Sequence, residues 1–263
     1  MPSSRSASPT SRSSEGERAL RHPAAALAYK LALAPLLIAQ AIGTRRRALV
    51  LPEAAGARDG RAGDGDGAPL HLLIAGDSSA AGVGVAHQDE AVAGHLVRAL
   101  CRHAARPVVW TLRARSGLTT RGVHALLAAE LPRPAEIAVV ISGVNDVIDQ
   151  IPARRALRDR AALADWLLAG GFARHVVFAP LPPIDRFPLL REPLRRVLGD
   201  DARRHDQALA RWAATRCDVS HAEIALEMNA GDMARDGFHP GEPVYRACGE
   251  ALAAHVARAL GRA

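Results

Sequence analysis

Aromatic residues are scarce, at 3% of 263 residues: three Trp, two Tyr and four Phe. So few rings argue against the stacking platforms that grip single-stranded nucleic acid. Cysteine is also rare. Cys101, Cys217 and Cys248 are too few and too scattered for a disulfide framework or a Cys-based zinc site, and free, buried thiols are the expectation. Lysine is nearly missing, with Lys30 the single one among 34 basic residues. The apolar stretch Leu31–Ile42 has 12 residues, well short of the roughly 20 that span a bilayer as a helix. No His-Glu-x-x-His pattern occurs, so no metal site is expected.

The remaining composition is that of an ordinary folded protein, 49% hydrophobic and 23% charged. It excludes a wholly disordered chain, a collagen and a polytopic membrane protein. The length fits one large α/β domain with a sizeable core. Net charge is +7, unevenly spread. Residues 1–66 hold 10 Lys+Arg against 6 Asp+Glu, and residues 67–263 hold 24 against 21. The body is therefore nearly balanced and offers no concentrated basic face, so nucleic acid is not an expected partner.

Three segments precede the body. Residues 1–22 are Ser/Arg-rich with little to bury and read as a disordered tail. Residues 23–51 form an apolar and basic segment: 23–43 are apolar apart from Lys30 and Gln40, and Arg45, Arg46 and Arg47 follow. Three readings of it stand side by side. It is an interfacial helix with its arginines at anionic headgroups, giving peripheral membrane contact through residues 23–47. It is the core of an atypical signal peptide, with Ala39-Gln40-Ala41 as a small-x-small cleavage site. Or it packs on the domain. Localisation follows the same division: cytoplasmic, peripherally membrane-associated, or exported. Residues 52–69, rich in Gly, Asp and Pro, read as a linker.

From residue 70 onward, short apolar runs alternate with helical spacing. Strands are expected at Leu70–Ala75, Val108–Leu112, Ile137–Ser142, His175–Ala179 and Val219–Ile224. Helices are expected at Glu90–His103, Gly122–Glu130, Arg158–Ala169, Asp201–Arg216 and Glu242–Leu260. This alternation predicts an α/β fold: a three-layer α/β/α sandwich around a parallel sheet of about five strands. Functional groups gather at the carboxyl ends of such strands.

Those ends are polar here. The first runs into Gly76-Asp77-Ser78-Ser79, where a serine can present its hydroxyl and its own N–H, though such a turn is also an ordinary helix cap. After the second strand, Gly117 can offer a backbone N–H. The third ends in Gly143-Val144-Asn145-Asp146, whose Asn145 amide can donate to a developing oxyanion or simply make an Asx-turn. Before the last helix, Asp236-Gly237-Phe238-His239 places a carboxylate and an imidazole three residues apart, able to converge in a loop. Each motif is weak alone. Together and in this order they make a complete acyl-transfer set.

On these four blocks the chain resembles the SGNH (GDSL-type) hydrolase family over residues 70–263. The resemblance implies a flavodoxin-like SGNH hydrolase fold and ester hydrolysis without metal or organic cofactor. It implies Ser78 as nucleophile, His239 as general base, Asp236 as its orienting partner, and an oxyanion hole from the N–H groups of Ser78 and Gly117 and the amide of Asn145. The Pro-rich stretch Ala179–Leu198 reads either as an acyl-binding lip, with Phe187, Leu189 and Leu190 touching the acyl chain, or as a stiff connection. A serine esterase with lipase-like substrates, small-molecule or lipid esters, is the leading expectation. A deacetylase of acylated carbohydrates and a non-catalytic, membrane-tethered binding module are the alternatives.

Overall fold

The computed structural model describes residues 23–64, 67–104, 106–225 and 228–261. The expectation for residues 1–22 lies outside the described residues. The chain divides into two units, Met1–Arg47 and Ala48–Ala263.

In the first unit, helix α1 (Pro23–Ala32) is followed by helix α2 (Ala34–Arg47). Their axes are bent by 74°. Pro35, in the first turn of α2, has no N–H to donate back to the Leu31 carbonyl, which breaks the helical ladder there. No single described helix is long and apolar enough to cross a membrane, although the bent pair meets the length and composition required. Leu27, Leu31, Leu36, Ile38 and Ile42 are exposed. Arg45, Arg46 and Arg47 fill the last turn of α2, where the helix dipole favours positive charge.

The second unit is built on a sheet of β1 (Asp59–Ala62), β2 (Leu70–Gly76), β3 (Val108–Ala114), β4 (Ala135–Ile141), β5 (Ala173–Phe178) and β6 (Val219–His221). Among the described residues the sheet order is β1-β3-β2-β4-β5-β6. All neighbours are parallel except β1, which runs antiparallel to β3. Strand β2 is apolar on both faces, as a central parallel strand must be. Leu70, Leu72 and Ile74 face helices α3 (Val92–Ala104) and α8 (Glu242–Leu260). Leu73 and Ala75 face α4 (Thr120–Ala129), α6 (Ala153–Ala169) and α7 (Leu194–Ala213). Helices therefore cover both faces, and the three-layer α/β/α sandwich expected from the alternation is the fold observed.

Several details differ from the sequence reading. The stretch 52–69 is not merely a linker: it contributes β1 to the sheet and buries Ala54. Its charged, Gly-containing sequence has little intrinsic β preference, but the free edge of β3 supplies the hydrogen-bond partners. A short helix α5 (Val144–Ile148) opens directly from Gly143. Helices α6 and α7 start earlier than the apolar spacing indicates, directly after Pro152 and Pro193, whose fixed φ suits a helix entry. Strand β6 is shorter than expected, only three residues.

Candidate active site

Strand β2 lies between β3 and β4, so the chain connections diverge from it and leave a crevice at its carboxyl end. Register brings the three strand ends level, with Gly76 opposite both Ala114 and Ile141. Ser78 sits in the turn that follows. The Asp77 N–H donates to the Ile141 carbonyl at 3.1 Å, and the Val83 N–H closes the turn on the Ser78 carbonyl at 3.0 Å. Two buried side chains from elsewhere hold this turn. The Tyr245 hydroxyl of α8 donates to the Val83 carbonyl at 2.6 Å, and Gln88 Nε2 donates to the Ala81 carbonyl at 3.0 Å.

The Asp236–His239 loop meets Ser78 across the chain. His239 Nε2 is 3.0 Å from Ser78 Oγ, and its Nδ1 is 2.6 Å from Asp236 Oδ2. The other carboxylate oxygen of Asp236 accepts the backbone N–H groups of Phe238 at 2.9 Å and His239 at 3.0 Å. The carboxylate is thus fully engaged, and it fixes both the ring and the loop that carries the ring. Burial pushes the Asp236 carboxyl up, but these three hydrogen bonds and the imidazole outweigh it and hold the group below its usual range. With the proton on Nδ1, the ring leaves Nε2 free to accept the Ser78 hydroxyl proton.

Gly117 follows β3 with φ of +81°, a backbone state that side-chain-bearing residues rarely adopt, and nothing lies within 4 Å of where a Cβ would stand. Asn145 lies in the first turn of α5, and its Nδ2 donates to the Leu118 carbonyl at 2.9 Å. That bond uses one of its two amide hydrogens and orients the other. Gly143, which starts the turn, has φ of +127°, and a Cβ there would fall 2.2 Å from Arg160 Nη2. Its lack of a side chain admits the guanidinium behind the loop.

Asp146 shows a role that its sequence context does not reveal. In sequence, Asn145-Asp146 reads as an Asx-turn or a cap of its own helix. In the fold, the buried Asp146 accepts the Thr120 N–H at 3.1 Å and the Thr120 hydroxyl at 2.5 Å, so it caps α4 instead. Arg160 Nη2, also fully buried, approaches it at 3.4 Å. The loops carrying Gly117 and Asn145 are thereby tied together from below. The only sequence signal was an acidic residue beside a strand end, which does not name a partner 26 positions away. Asp77 accepts the Ser79 N–H at 3.0 Å through Oδ1. Burial pushes its carboxyl up to about 7.

The expected lip residues are placed differently. Phe187 and Leu190 are 2% and 3% exposed, so they point into the core and not toward an acyl chain. Phe187 packs edge-on against Phe238 at 5.1 Å, and Phe238 packs likewise against His239. The partly exposed Leu189 donates its N–H to the Gly237 carbonyl at 3.0 Å. This segment buttresses the Asp236–His239 loop. Its apolar residues are consumed by that packing, which corrects the reading of Phe187 and Leu190 as acyl contacts. Among the described residues, no group of three or more His, Cys, Asp or Glu could hold a metal ion. All three cysteines are free: Cys217 is exposed, Cys101 is half-buried, and burial pushes the Cys248 thiol up to about 12, so the expectation of a buried thiol holds there.

Known proteins share this fold. A lipase from a goat rumen metagenome superposes with a TM-score of 0.59 at 16% identity, covering 70% of this chain and 96% of its own. An aryl esterase from M. smegmatis gives 0.52 at 21% identity, over 71% of this chain and 98% of that one. A carbohydrate acetylesterase from Sinorhizobium meliloti gives 0.52 at 18%, over 72% and 99%. At these identities the likeness is one of fold. No curated protein matches the chain. A family model does: residues 74–247, from the last residues of β2 into α8, match the GDSL-like lipase/acylhydrolase family. That match spans well over half of the sequence, and the protein belongs to this family of hydrolases.

Proposed function

We propose that the protein is a serine esterase acting on carboxylic esters through an acyl-enzyme. The observation that carries this reading is the continuous chain from Ser78 Oγ through His239 to Asp236, at 3.0 and 2.6 Å. Ser78 Oγ attacks the ester carbonyl carbon while its proton passes to His239 Nε2. Asp236 keeps the ring in the required tautomer and stabilises the imidazolium. The oxyanion is received by the N–H groups of Ser78 and Gly117 and by the second amide hydrogen of Asn145. His239 then protonates the departing alcohol. Water enters by the same base, and the acid is released with Ser78 restored.

A short acyl group is favoured over a long one. Phe187, Leu189 and Leu190, with the apolar N-terminal segment, supplied the sequence argument for lipid-like esters, and Phe187 and Leu190 are occupied in the core. An acetyl ester of a carbohydrate or of another small alcohol is the second reading, and the fold shared with a carbohydrate acetylesterase is compatible with it.

The experiment is hydrolysis of a chromogenic ester series, from acetyl to long acyl, by wild type and Ser78→Ala. Activity highest on the short esters, falling by at least about 1,000-fold in Ser78→Ala, is expected. Hydrolysis unaffected by that substitution overturns the mechanism. A long-chain optimum overturns the short-acyl reading alone.

A further inference from the structure

The loop that carries Gly117 leaves β3 with the Arg115 N–H on the Gly76 carbonyl at 3.3 Å, and side chains hold it at three further points. Two have been described: Asn145 Nδ2 on the Leu118 carbonyl, and Asp146 on the Thr120 N–H. Both lie on the C-terminal side of Gly117. The third lies on the N-terminal side and comes from outside the segment that matches the family. Glu53 Oε1 accepts the Ser116 N–H at 2.6 Å. Its other oxygen, Oε2, takes Arg58 Nη2 at 2.6 Å. Arg58 Nη1 in turn donates to the Ala114 carbonyl at 2.7 Å, at the last residue of β3. Glu53 is therefore clamped between the end of β3 and the next loop residue but one.

The same segment is fastened to the nucleophile turn. The Ala54 N–H donates to the Ala81 carbonyl at 3.2 Å, and Gln88 Nε2 bonds the Ala54 and Ala81 carbonyls together. Ala55 donates its N–H to the Ala86 carbonyl at 2.9 Å. Residues 53–58 thus form a strap whose ends, Glu53 and Arg58, grip the Gly117 loop and the end of β3, and whose middle, Ala54 and Ala55, is fastened to the segment that follows Ser78. Arg58 is not an unoccupied anion site, because both terminal nitrogens already have acceptors.

We propose that Glu53 is a positioning residue for the oxyanion hole, setting the direction of the Gly117 N–H relative to Ser78. This inference rests on the esterase reading above. The peptide that presents the Gly117 N–H lies between Ser116, held by Glu53, and Leu118, held by Asn145. Glycine at φ +81° has no side chain to resist rotation, so its neighbours must supply the constraint. A displacement of about 1 Å in such a donor can cost on the order of 100-fold in rate. Loosening one of several anchors has a smaller effect, and it falls on the transition state because the donor matters most for the developing oxyanion.

The test compares full-length wild type, Glu53→Ala, Glu53→Gln and Ser78→Ala in two measurements: steady-state kinetics on a short-acyl ester, and hydrogen exchange of the Ser116 amide. For Glu53→Ala, kcat falls about tenfold with KM within about twofold, and Ser116 exchange speeds up at least about tenfold. Glu53→Gln keeps an oxygen for the Ser116 N–H and retains at least about half of the wild-type kcat, which loss of an ion pair alone does not predict. If Glu53→Ala does not fold, Glu53→Asp takes its place, one methylene short of Ser116, with the same direction in kcat and exchange. The proposal is overturned if kcat stays within about twofold of wild type, if Glu53→Gln loses as much as Glu53→Ala, or if Ser116 exchange is unchanged. Wild type without Ser78-dependent hydrolysis defeats the esterase reading instead, and Ser116 exchange then decides alone whether Glu53 anchors the loop.

Discussion

At the scale of single residues, the two carboxylates near Ser78 respond to pH with opposite sign. Asp77 is buried, and burial pushes its carboxyl up to about 7 against the Ser79 N–H and His239, which pull it down. The folded state therefore holds this proton more tightly than the unfolded chain, whose value is about 3.9. The associated stability is complete below pH ~4 and is lost as pH rises toward about 7. Asp77→Asn removes that dependence. Its melting temperature is expected to gain on wild type between pH 5 and pH 8, and a constant difference across that range would contradict the assignment. Asp236 behaves the other way. Its carboxyl is held low, so its contribution is present at neutral pH and fades as acid titrates it. Asn145→Ala removes the proposed oxyanion donor and also the tie to Leu118. Its kcat on a short ester is expected to drop about 100-fold, with fold retained by circular dichroism. Ser78, Asn145, Asp236 and His239 were legible in the sequence because each belongs to a short block at a strand end or helix entry. Asp146 and Glu53 were not, because their partners Thr120 and Ser116 are far away in the chain and only packing brings them close.

At the scale of elements, the Pro-rich connection after β5 and the short helix α5 act as supports for the loops that carry His239 and Gly117. Truncating Phe187 to Ala removes a fully buried ring and is expected to cost about 3–5 kcal/mol in urea unfolding. The same variant should lower kcat through the Phe238–His239 contact and leave KM for long-chain esters where it was. A selective rise in that KM would restore Phe187 to the acyl site. Asp146→Ala leaves Arg160 buried without its carboxylate, in a site where its Nε and Nη1 already have no hydrogen-bond partner among the described residues. Breaking such a pair is expected to cost about 3–5 kcal/mol, read as a lower urea midpoint. The apolar alternation located β2 to β5 and the helices that cover them. It could not locate β1, whose Asp-Gly-Arg-Ala sequence becomes a strand because β3 has an open edge beside it. Nor could it decide which face of the connection Phe187 would occupy, since an apolar residue in a loop reads the same whether it meets substrate or core.

At the scale of the whole molecule, the N-terminal unit carries chemistry that the hydrolase fold does not need. We propose that residues 23–47 contact an anionic lipid surface. Support comes from the exposed Leu27, Leu31, Leu36, Ile38 and Ile42, and from the three arginines that close α2. Replacing Arg45, Arg46 and Arg47 by Ala should weaken co-sedimentation with anionic vesicles by about 3 kcal/mol, roughly 100-fold, at about 1 kcal/mol per arginine. Ester hydrolysis in the absence of lipid should be unchanged. Equal binding by both proteins would remove the electrostatic part of this proposal. Legible along the chain are the α/β alternation, the order of the four motif blocks, and the apolar and basic character of the N-terminal segment. These are properties of neighbouring residues, written in spacing and composition. Packing is what makes β1 pair with β3, Asp146 cap α4, Phe187 and Leu190 turn inward, and Glu53 reach the Gly117 loop. Each depends on which surfaces meet when distant segments pack, and a one-dimensional pattern carries no such distance.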